Sequence, residues 1–325
     1  MKIRIIILQL ITLAVVASCS AVRSEYSCTQ TIQSFVSKFN QQDVRGIRSL
    51  FQPRILGSKQ VKMMNNNLIY VYEVAGKIQS INYNEQEGSK ISYTSIHENT
   101  AMDLIFQLND RCQLMSYLIK THYPDSLPQL VRNTTSLTLP FQGEWYVEWG
   151  GFTIDQNYHN AHRNMKGAID FSIQDQEGRL FSNQGKKNED YYAFNQPVIA
   201  PCKAVVVKVI DGIEDNRIGK PNALDTYGNL IVLKAVNEEY LLMAHLKRGS
   251  ILVKAGQTVN PGEVLAHCGN SGYSTKPHLH FVVQNVPDLF HPTGAYSYFK
   301  NITVDGELKQ DHSPVQGELV SNSMP

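Results

Sequence analysis

From about residue 144 onward the sequence is a succession of short apolar runs, and this rhythm constrains the fold more than any other feature. The runs are QPVIAPCKAVVVKVID, GNLIVLKAV, EYLLMAHL, SILVKAGQTV and PHLHFVVQ, each broken from the next by Gly, Pro or Asn. Segments of this length, rich in Val, Ile and Leu and bounded by turn residues, read as strands. No amphipathic helix of convincing length interrupts them. Residues 144–304 are therefore expected to form an all-β domain with a mostly antiparallel sheet.

The first third of the chain has a different pattern. In YSCTQTIQSFVSKFNQQDVRGIRSLF, Ile32, Phe35, Val36 and Phe39 fall at helical spacing, and a second short helix after Asp43 would carry Ile47, Leu50 and Phe51. Between Lys59 and Ile119 the runs LIYVYEVAGKIQSINY, KISYTSI, MDLIFQL and CQLMSYLI read as strands. A smaller α+β domain over residues 25–123 is the expectation, and a chain of 325 residues has room for two cores. Its layout resembles the nuclear-transport-factor-like domains of unknown function that often precede exported bacterial enzymes. No cluster of acids, histidines or thiols lies in it, so a spacer or binding module is expected. The prolines and the Asn-Thr-Thr-Ser run of residues 124–143 read as a linker, and the polar residues 305–325 as a frayed tail.

Charge excludes one class of partner. With 30 Lys+Arg against 29 Asp+Glu and no basic stripe, the chain lacks the footprint of a nucleic-acid binder. The N-terminus, MKIRIIILQLITLAVVASCSAVRS, places Lys2 and Arg4 before an apolar run from Ile5 to Val16, which is an export signal too short to serve comfortably as a permanent span. Residues 1–19 end in Val16-Ala17-Ser18-Cys19, which resembles a bacterial lipobox and implies a lipid anchor at Cys19 in the cell envelope or periplasm. Removing Cys19 from the five cysteines leaves four. Cys28–Cys112 and Cys202–Cys268 are then candidate disulfides in an oxidising compartment, the second pair reading equally well as buried thiols.

Eight of the ten histidines lie at or beyond His159. In GNSGYSTKPHLHFVV, His278 and His280 flank one leucine on a strand, so both point to the same face. A hydrolytic zinc site takes three ligands from His, Asp or Glu and keeps a fourth position open for water. His280, Asp170 in KGAIDF and a histidine from NYHNAHRNMKGAIDF offer such a set, with either His159 or His162 able to reach. His278 and His245 are the residue type that takes a proton or supports an oxyanion. The other candidates read as structural: His267 beside a turn, His291 before Pro292 in a loop, and Asp211, Glu214 and Asp215 in a turn. Cys268 lacks a histidine at the spacing of a thiol-enzyme signature.

Four blocks in order carry a resemblance over about 150 residues from Trp145 to Phe299: the His…Asp segment, QPVIAPCKAVVVKVIDGIEDN, YLLMAHLKRGSILVKAGQTVNPGEVLAHCGNSGYS and PHLHF. Together they resemble the lysostaphin-like, LytM-type zinc metallopeptidases, which cut peptide bonds in bacterial cell walls. The resemblance implies Asp170 and His280 as zinc ligands, His245 and His278 as catalytic neighbours, Zn2+ as cofactor and peptidoglycan peptides as substrate. The position four residues before Asp170, where family members often carry the first ligand, holds Lys166. A longer-spaced variant is similar in WYVEWGG, NYH and NEDYYAF, and implies His159, eleven residues before Asp170. Ala204 stands where the family tends to have glycine. The alternative expectation is an inactive wall-binding or regulatory module of the same fold, and a peptidase acting on exported proteins is a third.

Overall fold

A computed structural model describes residues 28–124, 126–222, 225–289 and 292–323, which divide into two compact units at Tyr123/Pro124. The export signal, Cys19 and His291 lie outside the described residues.

In the first unit residues 28–40 form helix α1, followed by α2 (Val44–Ser49) and α3 (Ser58–Ala75). Ile32, Phe35 and Phe39 recur on one face of α1 and are fully buried. Asp43 caps α2 by accepting from the Gly46 N–H at 2.8 Å. Strands β1 (Ile78–Glu87), β2 (Lys90–His97), β3 (Ala101–Leu108) and β4 (Leu114–Thr121) form an antiparallel meander. In β3 every second side chain is buried, Met102, Leu104, Phe106 and Leu108, which presents one face to the helices' core cluster.

The first half of LIYVYEVAGKIQSINY is helical rather than extended. Met64, Leu68, Val71 and Ala75 are buried at spacings of three and four, and Gly76 ends the helix at φ 79°. An apolar run with few breaks carries both periodicities, and here the upstream residues 58–67 extend it to a helix's length. Cys28 and Cys112 form a disulfide, closing a loop of 84 residues, while Cys202 and Cys268 are free and buried. A cross-link over a loop of that size restricts the unfolded chain by about 4.5 kcal/mol in the chain-entropy account.

The second unit is built from β5 (Glu144–Trp149), β6 (Ile169–Ser172), β7 (Pro197–Ile199), β8 (Ala204–Ile210), β9 (Asn229–Ala235), β10 (Tyr240–Leu246), β11 (Thr258–Val259), β12 (Val264–His267), β13 (Leu279–Gln284), β14 (Gly294–Ala295), β15 (Phe299–Val304), β16 (Glu307–His312) and β17 (Leu319–Asn322). A single sheet runs β11-β8-β9-β10-β13-β6-β5-β17-β15-β16, with β14 beside β13, and its pairings are antiparallel. Strands β7 and β12 pair separately. The domain is all-β and mostly antiparallel.

Both ends of this unit differ from the sequence reading. Residues 126–143 are part of the fold: Leu137, Leu139 and Phe141 are fully buried in its core, and Phe141 stacks on Trp145 with ring centroids 4.6 Å apart. Three apolar side chains at alternate positions outweigh the Pro and Thr around them, each large buried one contributing roughly 1.5–3 kcal/mol. Residues 305–323 are likewise part of the fold. β17 lies between β5 and β15, with Val320 buried, and Asn322 bonds the backbone of Leu139 and Phe141. β16 is polar because it is the sheet's edge, where a polar strand discourages unwanted pairing.

Candidate metal centre and active site

The centre lies where β6, β13 and β10 run side by side. The pairing of β6 with β13 sets Asp170 opposite His280, and that of β10 with β13 sets Ala244 opposite His280. Residues directly opposite one another share a face, so the sheet itself brings carboxylate and imidazole together. His280 Nδ1 lies 2.8 Å from Asp170 Oδ1. His278, one residue before β13, points the same way, with Nε2 3.7 Å from the same oxygen.

His159 arrives from a 3-10 turn, Tyr158–Ala161, between β5 and β6. Its Nε2 is 3.5 Å from Asp170 Oδ2. Asn157, fully buried, fixes the ring: its Nδ2 donates to Ala168 O at 2.8 Å, so its Oδ1 is the acceptor for His159 Nδ1–H, also at 2.8 Å. That bond selects the tautomer whose Nε2 lone pair faces Asp170. His162, by contrast, is exposed, and its backbone N–H closes the turn onto His159 O. Lys166 is also exposed, its ammonium over the Tyr296 ring.

His245 reaches the same centre by a break in the strand pattern. The β9–β10 register shifts between Met243 and Leu246, and His245 adopts φ 60°, unusual for a residue with a side chain. A bulge of this kind re-aims a side chain that regular alternation would place elsewhere. His245 Nδ1 then meets Ser271 O at 2.8 Å, and its ring lies 4.8 Å from that of His278. Asn216 braces the loop that supplies this acceptor by donating to Gly272 O and Ser274 O.

Electrostatics favour a cation here. Burial opposes charge on Asp170, but His159, His278 and His280 outweigh it and hold the carboxyl below its usual range. Burial pulls the His159 imidazole down to about 4 against the attraction of Asp170. Burial, reinforced by His278 and His280, holds His245 well below the imidazole range. At pH 7 this leaves a buried carboxylate facing the lone pair of a neutral His159, an arrangement that needs a cation between them.

The residues fit a metal on chemical grounds. His159, Asp170 and His280 each bring a ligand atom to within 4.8 Å of the others, all three side chains being buried. Ligand atoms about 2.0–2.2 Å from one tetrahedral ion lie roughly 3.3 Å apart, a distance bracketed by His159 Nε2–Asp170 Oδ2 at 3.5 Å and His280 Nδ1–Asp170 Oδ1 at 2.8 Å. His280 Nε2 is buried without a hydrogen-bond partner.

His267, in β12, lies away from this cluster. Cys268 is buried, and burial drives its thiol above the ordinary range. Asp215 receives the backbone N–H groups of Arg248 and Asn270 and braces loops. Sequence reading did not single out Asn157, Glu148 or Lys276. The first had a readable signal, an Asn two residues before the candidate ligand in NYH; the others are joined only in three dimensions.

A buried two-imidazole, one-carboxylate cluster with two further histidines beside it, on an antiparallel sheet, is a residue set that could hold a metal ion. Residues 186–292 match the family model of Peptidase family M23. The match contains His245, His278 and His280, while His159 and Asp170 precede it. An uncharacterized metalloprotease of Haemophilus influenzae is 39% identical over 85 residues, which span 26% of this chain and 15% of that protein. The catalytic domain of lysostaphin from Staphylococcus simulans aligns at 20% identity over 47% of this chain and 88% of its own length, with a TM-score of 0.28. LytU aligns at 19% identity over 39% of this chain and 68% of its own length, with a TM-score of 0.27.

Proposed function

We propose that the chain is an exported zinc endopeptidase that hydrolyses peptide bonds in the cross-links or stem peptides of peptidoglycan. The observation that carries the reading is the convergence of His159, Asp170 and His280 beside two histidines whose outer nitrogens are already committed. His159, Asp170 and His280 would hold the metal, which when bound supplies a Lewis acid for the scissile carbonyl and acidifies water. His245 gives its Nδ1–H to Ser271 O, and His278 gives its own to Lys276 O at 2.9 Å. Each ring is thereby left with Nε2 free on the side of the centre. Such a nitrogen can accept the proton of the attacking water and return it to the leaving amine, or, once protonated, support the oxyanion.

Purified without chelator, the full chain is expected to carry about one zinc and to cleave peptidoglycan peptides, with both properties lost on chelation and regained with zinc. Metal-free protein whose hydrolysis ignores chelators would overturn the zinc mechanism. Cleavage of unrelated exported proteins but not of wall peptides would move the substrate.

Export and anchoring belong to the same proposal, supported by the residue pattern up to Cys19. Lipid chains hold a protein at a membrane without a spanning helix. Cys19→Ser is therefore expected to release the mature protein from the membrane fraction. Unchanged partitioning of that variant would remove the anchor from the proposal.

A further inference from the structure

Resting on the peptidase reading, we propose that the ion pair between Glu148 and Lys276 is a clamp that positions His278 over the centre. Glu148 is the extra residue of a bulge. The β5–β6 register pairs Val147 with Phe171 and Trp149 with Asp170, and shifts between them. By strand alternation Glu148 lies on the face of Tyr146, whose partner is Ser172, and so on the face that carries Asp170; the bulge leaves it without a partner residue opposite. There it accepts from Ser172 Oγ and pairs with Lys276 Nζ, its side chain only 11% exposed.

Lys276 joins that pair to catalysis through its backbone. Its carbonyl receives His278 Nδ1–H at 2.9 Å and Ser274 Oγ–H at 2.8 Å. Pro277 follows and restricts Lys276 to extended backbone, so the carbonyl has few directions to take. With Nδ1–H spent on it, His278 keeps Nε2 toward Asp170 Oδ1. Without the pair, His278 would be held only by its own loop. With it, that loop is tied to β5 and β6, the strands that place Asp170. A carboxylate this buried needs a cationic partner, and an ammonium that answers it gives up rotamer freedom, so each end fixes the other.

The test uses the full zinc-loaded chain and two readouts, the His278 ring tautomer by 15N NMR and steady-state hydrolysis of a peptidoglycan-derived peptide. Lys276→Met and Glu148→Gln are each expected to mix the His278 tautomers and lower kcat about 10-fold, the low end for losing a partner that orients a site residue. KM and zinc content should hold, and Lys276→Arg should retain both the tautomer and most of kcat. An unchanged tautomer in both single variants overturns the clamp, as does a kcat loss that follows loss of zinc or of folded protein. The tautomer reports on the clamp whether or not the wild-type chain cleaves the peptide, so a wild type without activity sinks the peptidase reading separately.

Discussion

His280→Ala and Asp170→Ala are each expected to lose bound metal and peptide hydrolysis together, and His159→Ala to match them while His162→Ala keeps both. The expectation follows from burial and direction. His159, Asp170 and His280 face one another inside the sheet, whereas His162 is exposed beyond the end of the 3-10 turn. Loss of a ligand should exceed the about 10–100-fold penalty of losing an outer partner. Asp170→Asn separates charge from shape: it keeps the packing opposite His280 yet removes the anion, and should also empty the site. Zinc titration of the five variants decides the set. A dead His162→Ala beside an active His159→Ala would transfer the first ligand, and two active variants would mean that another side chain fills the role.

The parts of this centre that sequence made readable share one property: their geometry is set by local periodicity. His278 and His280 lie two apart, so any strand turns them to one face, and the short apolar runs around them are strands. His159 needed more than spacing. Eleven residues and a 3-10 turn separate it from Asp170, and only the fold shows that His159 faces inward while His162 does not. His245 lies deeper still, because a bulge with φ 60° breaks the alternation that a strand pattern assumes. Residues 305–323 and the buried Leu137–Phe141 segment were hidden for a related reason. Their partners, β15, β5 and Asn322, are distant in sequence, so their own polarity argued for loops. The helix at Ser58–Ala75 was misread because its second half, taken alone, fits a buried strand as well as a buried helix.

His245 and His278 should behave in the opposite way from His159, Asp170 and His280. His245→Ala and His278→Ala are expected to keep their zinc and lose turnover by ~10²-fold or more, the scale of removing a general base or an oxyanion donor. Neither ring is needed to complete the three-residue cluster, and each spends its Nδ1–H on a backbone carbonyl, Ser271 O or Lys276 O. The two need not cost the same. His245 is buried and held well below the imidazole range, first by burial, so it stays neutral at pH 7. The His278 side chain is 13% exposed, against 6% for Asp170. The two rings lie 4.8 Å apart, so if they serve one step the double variant should fall well short of the product of the single losses. Measuring kcat/KM and zinc content for the three variants checks this. If His278→Ala empties the site while His280→Ala keeps its metal, the two histidines of the strand have exchanged roles. A product of losses in the double variant would mean that His245 and His278 serve separate steps.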